Sequence, residues 1–242
     1  MSETTASAAQ SLAGINPCGA CPVRELAVCG VLEPDELYAL TEIVQELHRV
    51  SGQTLIVEGE SAESFYIVTG GVASVEKLLG DGRRQIVGFL YPSDFFGLAI
   101  DGHYAYTVTA VTKLSLCRFE RMRYLALIER FPKLEHRLLS MASNELAASQ
   151  EQMLVLGRKT AEEKVASFLS MLSERSHRLG RPATPVWMPM TRGDIGDYLG
   201  LTTETTSRKF TQLRKAGLVA FLPDAMIDLL DLRELKRIAD GG

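Results

Sequence analysis

Hydrophobic spacing changes twice along the chain and divides it into segments. In Glu33–Val50 (EPDELYALTEIVQELHRV) the apolar residues Leu37, Leu40, Ile43, Val44 and Leu47 recur at helical intervals, and Pro34 and Asp35 suit a first turn, so one amphipathic helix is expected. From Gln53 the pattern shortens to β-rich runs (TLIV, SFYIVTGGVASVEK, RQIVGFLYP, AYTVTAVTKLSLCRF), with Gly59, Gly70, Gly71, Gly82, Gly88, Gly97 and Gly102 at or near the breaks. This texture predicts an antiparallel sandwich or roll, and Asp81-Gly82 within LLGDGRRQ predicts a hairpin turn.

After Phe119 the helical period returns, interrupted near Phe131-Pro132 and ending near Gly157. Leu139, Ala142, Leu146, Ser149, Met153 and Leu156 follow alternating three- and four-residue steps, the a/d pattern of a coiled-coil seam. A helix lying on its own core needs a broad apolar face. A narrow stripe beside Glu145, Gln150, Glu151 and Gln152 suits a partner helix instead, which predicts a two-stranded homodimer.

Thr160 and Glu163 form a capping box that opens a helix running to about Arg175, and Arg178–Val186 reads as loop. In TRGDIGDYLGLTTETTSRKFTQLRKAGLV, Thr191 and Asp194 cap a helix ended by Gly200, Leu201–Thr203 turn the chain, and a second helix runs from about Glu204 to Lys215. Helix, short turn, helix is the outline of a helix-turn-helix, and Leu218–Leu222 with Met226–Leu230 predict a small β-wing. Ile195, Leu199, Leu201, Phe210, Leu213 and Leu218 supply the inner faces. Glu204, Ser207, Arg208 and Gln212, together with Thr203 and Lys209, form the candidate DNA-binding set at the start of the second helix. Glu204 and Arg208 share a face, so a carboxylate that accepts from cytosine N4 stands beside a guanidinium that forks onto guanine O6 and N7. The competing reading is a solvated i,i+4 ion pair, worth a few tenths of a kcal/mol.

Composition adds limits. With 242 residues, 46% hydrophobic and 23% charged, the chain has the material for two compact domains without disulfide staples. No window reaches the length of a membrane span, and Met1–Gln10 has neither a basic nor an apolar signal region, so a cytoplasmic protein with no membrane partner is expected. A net charge of −4 gives no global sign of nucleic-acid binding. The local sign is Arg208, Lys209, Arg214 and Lys215 against Glu204 between Thr202 and Ala216. His48, His103, His136 and His177 lack metal-ligand spacing, and no G-x-S-x-G, H-E-x-x-H, P-loop or G-x-G-x-x-G occurs, so no enzyme is expected.

The remaining chemistry is sulfur. Cys18, Cys21 and Cys29 lie in NPCGACPVRELAVCGVL, and the fourth cysteine, Cys117, ends a predicted strand. In a reducing compartment structural disulfides are rare, so metal binding, redox sensing or burial are the open readings. Four thiolates suit zinc or an iron–sulfur cluster equally by count; a 3+1 arrangement leans towards iron–sulfur, and unliganded or redox-active thiols remain the third reading.

Cysteine cluster, glycine-punctuated β-roll, long helix and helix-turn-helix together resemble the CRP/FNR superfamily of bacterial transcription regulators, most closely its FNR-type oxygen sensors. The resemblance runs from about Asn16 to Asp240 and is most specific in the cysteines and in Glu204-Thr-Thr-Ser207-Arg208. It implies an α+β chain: a cysteine-rich segment (1–32), a cyclic-nucleotide-binding-like antiparallel β-roll (33–128), a dimerisation helix (129–157) and a C-terminal winged helix-turn-helix domain (158–242). It implies an oxygen-labile [4Fe-4S] cluster, one per subunit, held by Cys18, Cys21, Cys29 and Cys117. The cluster-bound homodimer would activate transcription from an inverted repeat like TTGAT-N4-ATCAA, and oxygen would convert the cluster to [2Fe-2S] and weaken the dimer. Glu204, Ser207 and Arg208 would read each half-site, and RNA polymerase would be touched in part through Gly80–Arg84.

Two departures bear on this. The Cys21–Cys29 gap is longer than in the best-known FNR pattern. In DFFGLAIDGHYAYTVTAV, Leu98 follows Gly97 and the glutamate and arginine of a cyclic-nucleotide site are missing, so cyclic AMP is not expected. The alternatives are a regulator of the same fold switched by thiol oxidation or zinc, and an effector-binding interaction protein that does not bind DNA.

Overall fold

The computed structural model describes residues 18–242. The Ser/Thr/Ala-rich start and Asn16-Pro17, just before the first cysteine, lie outside the described residues.

A 3-10 turn at Val28–Val31 leads into helix α1 (Pro34–Thr41). Pro34 occupies the first turn, and Glu33 and Glu36 satisfy each other's backbone N–H groups in a capping box. The helix stops at Thr41, and Val44–Arg49 forms strand β1, which corrects the single helix expected over Glu33–Val50. The reason is a distant partner. Strand β10 (Leu114–Glu120) pairs antiparallel with β1, setting Val44 opposite Phe119 and Leu47 opposite Leu116. Short apolar spacings fit either period, and tertiary pairing decides between them.

Between them run β2 (Thr54–Ile56), β3 (Ser64–Gly70), β4 (Ala73–Leu78), β5 (Arg84–Leu90), β6 (Phe95–Phe96), β7 (Ala99–Ile100), β8 (His103–Tyr104) and β9 (Thr107–Ala110). They make two four-stranded sheets, ordered β1-β10-β3-β6 and β2-β9-β4-β5, and a small β7-β8 pair. Side-chain alternation then sorts the core. Tyr66, Val68, Leu114 and Leu116 point into one buried cluster with Ile56, Phe96 and Val108. Their strand neighbours Phe65, Ile67 and Phe119 face a second cluster, formed with Cys18, Val28, Cys29, Leu37 and Leu40 from the N-terminal segment. At Gly71 (φ 87°) an added Cβ would meet the Lys113 carbonyl oxygen at 2.2 Å, so no other residue fits where this strand turns against its neighbour.

Helix α2 (Arg121–Arg130) is followed by α3 (Pro132–Arg158), with the break at Pro132 as its missing N–H requires. Helix α4 (Ala161–Arg178) opens on the Thr160/Glu163 capping box. Then come β11 (Val186–Trp187), α5 (Arg192–Leu199), α6 (Thr203–Lys215), β12 (Val219–Phe221), β13 (Met226–Leu229) and α7 (Leu232–Ala239). The last three strands form a sheet in the order β11-β13-β12. The chain divides into two compact units. Among the described residues, one comprises 18–75 with Phe89–Asn144; the other comprises Glu76–Gly88 with Glu145–Gly242. Among the described residues no helix is long and apolar enough to cross a membrane.

Candidate functional site

In the second unit, caps and glycines set the helix-turn-helix. The Thr191 hydroxyl accepts from Asp194 N at 3.1 Å while Asp194 accepts from Thr191 N at 3.0 Å. Gly200 ends α5 in the left-handed region (φ 62°), and the Thr202 side chain caps α6 by accepting from Thr205 N at 3.1 Å. The two helices touch at Gly196, where a Cβ would meet the Leu201 carbonyl oxygen at 2.7 Å and Thr206 Oγ1 at 3.2 Å. Ile195, Leu199, Phe210 and Leu213 are buried between them.

This scaffold leaves one face of α6 free. Thr203, Glu204, Arg208 and Gln212 are exposed and Ser207 is half-buried. Among the described residues neither Glu204 nor Arg208 enters an ion pair, with each other or elsewhere, so both are available to a groove. Lys209 lies differently: its Nζ is 3.0 Å from a Glu162 carboxylate oxygen on α4. The pair braces α6 against α4.

Sequence reasoning did not single out Arg192, and it reached Arg84 only as the end of the Gly80–Arg84 hairpin. The Arg192 guanidinium lies over the Phe210 ring at 3.7 Å and 4.9 Å from the Phe221 centroid, holding wing and recognition helix together. Burial lowers its pKa to about 10, which still leaves it charged at neutral pH. Arg84, on the hairpin, reaches Asp194 at 2.8 Å and Asp197 at 2.7 Å on α5, with Glu76 at 3.6 Å. Gln85 adds a hydrogen bond to the Asp197 carbonyl at 2.5 Å. Arg84 is thus tied down, whereas Leu79–Arg83 at the hairpin tip are exposed. The signal for Arg192 was its place in the first turn of α5; for Arg84, more than a hundred residues from its partners, there was none.

In the first unit the thiols converge. Period-two alternation puts Cys117 and Phe119 on the face of β10 that meets the N-terminal segment; Cys18 and Cys29 are buried there, and Cys117 packs against the same cluster. Burial pushes the Cys29 thiol up to about 11, with the charges on Cys21 and Cys18 adding to it. Burial likewise pushes Cys117 up to about 12, reinforced by Cys18, Cys21 and Cys29, so all four sulfurs lie within electrostatic reach of one another. Burial also raises Cys18, against a hydrogen bond from Thr41 that lowers it. Among the described residues no three His, Cys, Asp or Glu side chains gather closely enough for a metal ion. A tetrahedral zinc site, with bonds of about 2.3 Å, needs that tight grouping. A multi-iron cluster is likewise held by four thiolates, so the set Cys18, Cys21, Cys29 and Cys117 has the donor chemistry that such a group requires.

Helix α3 contributes two faces. Leu134 is buried in the cysteine core, with Leu138 and Met141 packed on it. Leu139, Ala142, Leu146, Ser149, Met153 and Leu156 are exposed, Leu146 at 61% and Met153 at 68%. So much apolar surface on one helix is unusual for a face in contact with water alone.

Known proteins resemble this chain over most of its length. A model described as cyclic nucleotide-binding domain matches residues 46–131, and one described as Crp-like helix-turn-helix domain matches residues 163–238. The transcriptional activatory protein AadR of Rhodopseudomonas palustris is 40% identical over 219 residues, covering 90% of this chain and 91% of the relative. The transcriptional activator protein FnrL of Cereibacter sphaeroides is 38% identical over 236 residues, covering 94% and 95%. Among solved structures, FixK2 from Bradyrhizobium japonicum superposes with a TM-score of 0.75 at 35% identity, over 81% of this chain and 97% of that one. These relatives are transcription regulators rather than enzymes, and the chain accordingly belongs to the CRP/FNR family as a DNA-binding transcriptional activator.

Proposed function

We propose that the chain is an oxygen-responsive activator that binds DNA as a homodimer when Cys18, Cys21, Cys29 and Cys117 hold a [4Fe-4S] cluster. What supports this reading is that Cys18 and Cys29 are buried in one cluster against which Cys117 from β10 packs, with the half-buried Cys21 on the same N-terminal segment. The cluster, when bound, supplies an oxygen-reactive centre; the chain supplies the coupling. Arg137 on α3 donates to the Leu26 carbonyl at 3.0 Å, and Lys133 on α3 pairs with Glu36 of α1. Leu134 sits in the core that holds Cys18 and Cys29. Releasing Cys18, Cys21 and Cys29 loosens the segment on which the inner face of α3 rests, and the outer face of that helix is the dimer seam. The thiol state therefore biases the dimer equilibrium, and only a dimer spans two half-sites one helical turn apart.

In each half-site Arg208 forks onto guanine, Glu204 accepts from cytosine, and Ser207, Thr203 and Gln212 complete the contacts; an inverted repeat like TTGAT-N4-ATCAA is the target. The exposed hairpin tip beside Gly80 is the RNA polymerase contact. Cyclic nucleotide is not the effector. Gly97 N already donates to the Tyr106 hydroxyl at 3.1 Å, and its carbonyl accepts from Arg121 Nη2 at 2.5 Å, so that loop spends its polar groups internally. The test is anaerobic fluorescence anisotropy on that duplex with wild type and the Cys117→Ser variant. Tight, salt-sensitive binding by wild type and weak binding by the variant support the reading; equal binding by both overturns it.

A further inference from the structure

Among the buried members of the hydrophobic core around the thiols, one side chain besides the cysteines carries a polar group. Those members are Cys18, Cys29, Tyr124 and the side chains of alanine, valine, leucine, isoleucine and phenylalanine. Tyr124, on α2, is fully buried, and its hydroxyl has no hydrogen-bond partner among the described residues. Its ring cannot swing to find one, because Phe119, Phe65 and Phe95 surround it at centroid distances of 5.1, 5.3 and 5.7 Å. Tyr104 in the same unit shows the ordinary outcome: its hydroxyl donates to the Ser64 carbonyl at 2.9 Å and accepts from Ser64 N at 3.2 Å. A phenylalanine at 124 would fill the same aromatic cage without stranding an oxygen, since an unpaired buried hydroxyl costs about 1–3 kcal/mol. Cys29 lies in the same buried cluster as Tyr124, and burial first, then Cys29, pushes the phenol's pKa up.

We propose that Tyr124 is a positioning residue of the sulfur site, donating its hydroxyl hydrogen bond to the Cys29 sulfur when that sulfur is a metal-bound thiolate. The inference rests on the cluster reading above. A neutral thiol is a poor acceptor and a metal-bound thiolate a good one, so the hydrogen bond is made in the loaded protein and absent from the metal-free one. Donation to a ligating sulfur withdraws electron density, raises the reduction potential and makes loss of electrons to oxygen slower.

The experiment compares wild type, Tyr124→Phe and the control Tyr104→Phe after anaerobic loading with iron and sulfide. For Tyr124→Phe we expect iron–cysteine stretching bands at higher frequency in resonance Raman spectra and a lower reduction potential. Loss of visible absorbance in air should be roughly 10-fold faster, the low end of what losing an outer-shell partner costs. In the metal-free state the same variant should melt at or above the wild-type temperature, because it removes an orphaned oxygen. Fluorotyrosine at 124, a stronger donor in the same cage, should slow the loss. A wild-type protein that takes up no iron and sulfide overturns the cluster reading and this inference with it. A wild type that loads, with Tyr124→Phe or fluorotyrosine indistinguishable from it, overturns the role of Tyr124 alone. So does a lower metal-free melting temperature for Tyr124→Phe, which would place the hydroxyl's partner within the fold.

Discussion

Arg84 Nη2 lies 2.7 Å from the Asp197 carboxylate, fastening a β-hairpin to the first helix of the helix-turn-helix across 113 residues of sequence. The same guanidinium holds Asp194, which also completes the capping box of that helix, so one cation supports both the docking of the hairpin and the start of α5. Burial works against the charged form of Asp194, yet hydrogen bonds from Thr191 and Arg84 outweigh it and hold its carboxyl below the usual range.

Arg84→Ala should therefore cost about 1–2 kcal/mol at neutral pH, more than an isolated surface pair because three carboxylates converge on it, but limited by partial exposure. A depressed carboxyl contributes its stability above the ordinary aspartate pKa of about 4 and loses it as pH falls through the folded value. Urea denaturation should show wild type and variant separated at neutral pH and converging below about pH 4. A gap that persists in acid would mean that the arginine acts by packing alone.

Arg208 and Lys209 adjoin in sequence but differ in surroundings, Arg208 being exposed and Lys209 paired with Glu162. Arg208→Ala should lower affinity for the specific duplex by about 10- to 100-fold, the worth of one bidentate guanine contact, with little change in melting temperature. Lys209→Ala should lower stability by about 0.5 kcal/mol through loss of the half-exposed Glu162 pair and leave the base preference at each position intact. Anisotropy titrations on single-base variants of the half-site, paired with thermal melts, separate the two.

Gly196 is where the helices of the motif come closest. Gly196→Ala forces its Cβ against the Leu201 carbonyl oxygen at 2.7 Å, and backbone has to move. The expected cost is about 1–3 kcal/mol, seen as a lower denaturation midpoint together with weaker DNA binding.

Leu146, at 61% exposure, is a central member of the apolar stripe on α3. Leu146→Glu should leave helix content by circular dichroism unchanged and convert the loaded protein from dimer to monomer in sedimentation velocity. A variant that still sediments as a dimer would place the interface elsewhere.

Much of this was legible in local sequence. Capping pairs at Thr160/Glu163 and Thr191/Asp194, the stop at Gly200 and the break at Pro132 are signals within four residues of what they control, and each appears where expected. The failures are non-local. Val44–Arg49 reads as helix until β10 pairs with it, and nothing local announces that Lys209 pairs with Glu162, 47 residues away. The Arg84–Asp197 pair, and the burial of Tyr124 in one cluster with Cys29, likewise depend on packing that no periodicity encodes.

The claim that thiol state controls DNA binding is tested most directly by one paired assay. Protein purified without oxygen is assayed for iron and acid-labile sulfide and titrated against the inverted-repeat duplex, then exposed to air and measured again. The account predicts iron and sulfide in equal amounts matching one [4Fe-4S] cluster per subunit, tight binding before air, and loss of both after it. Tight binding that survives the loss of iron, or protein that never holds iron while binding DNA fully, would contradict it.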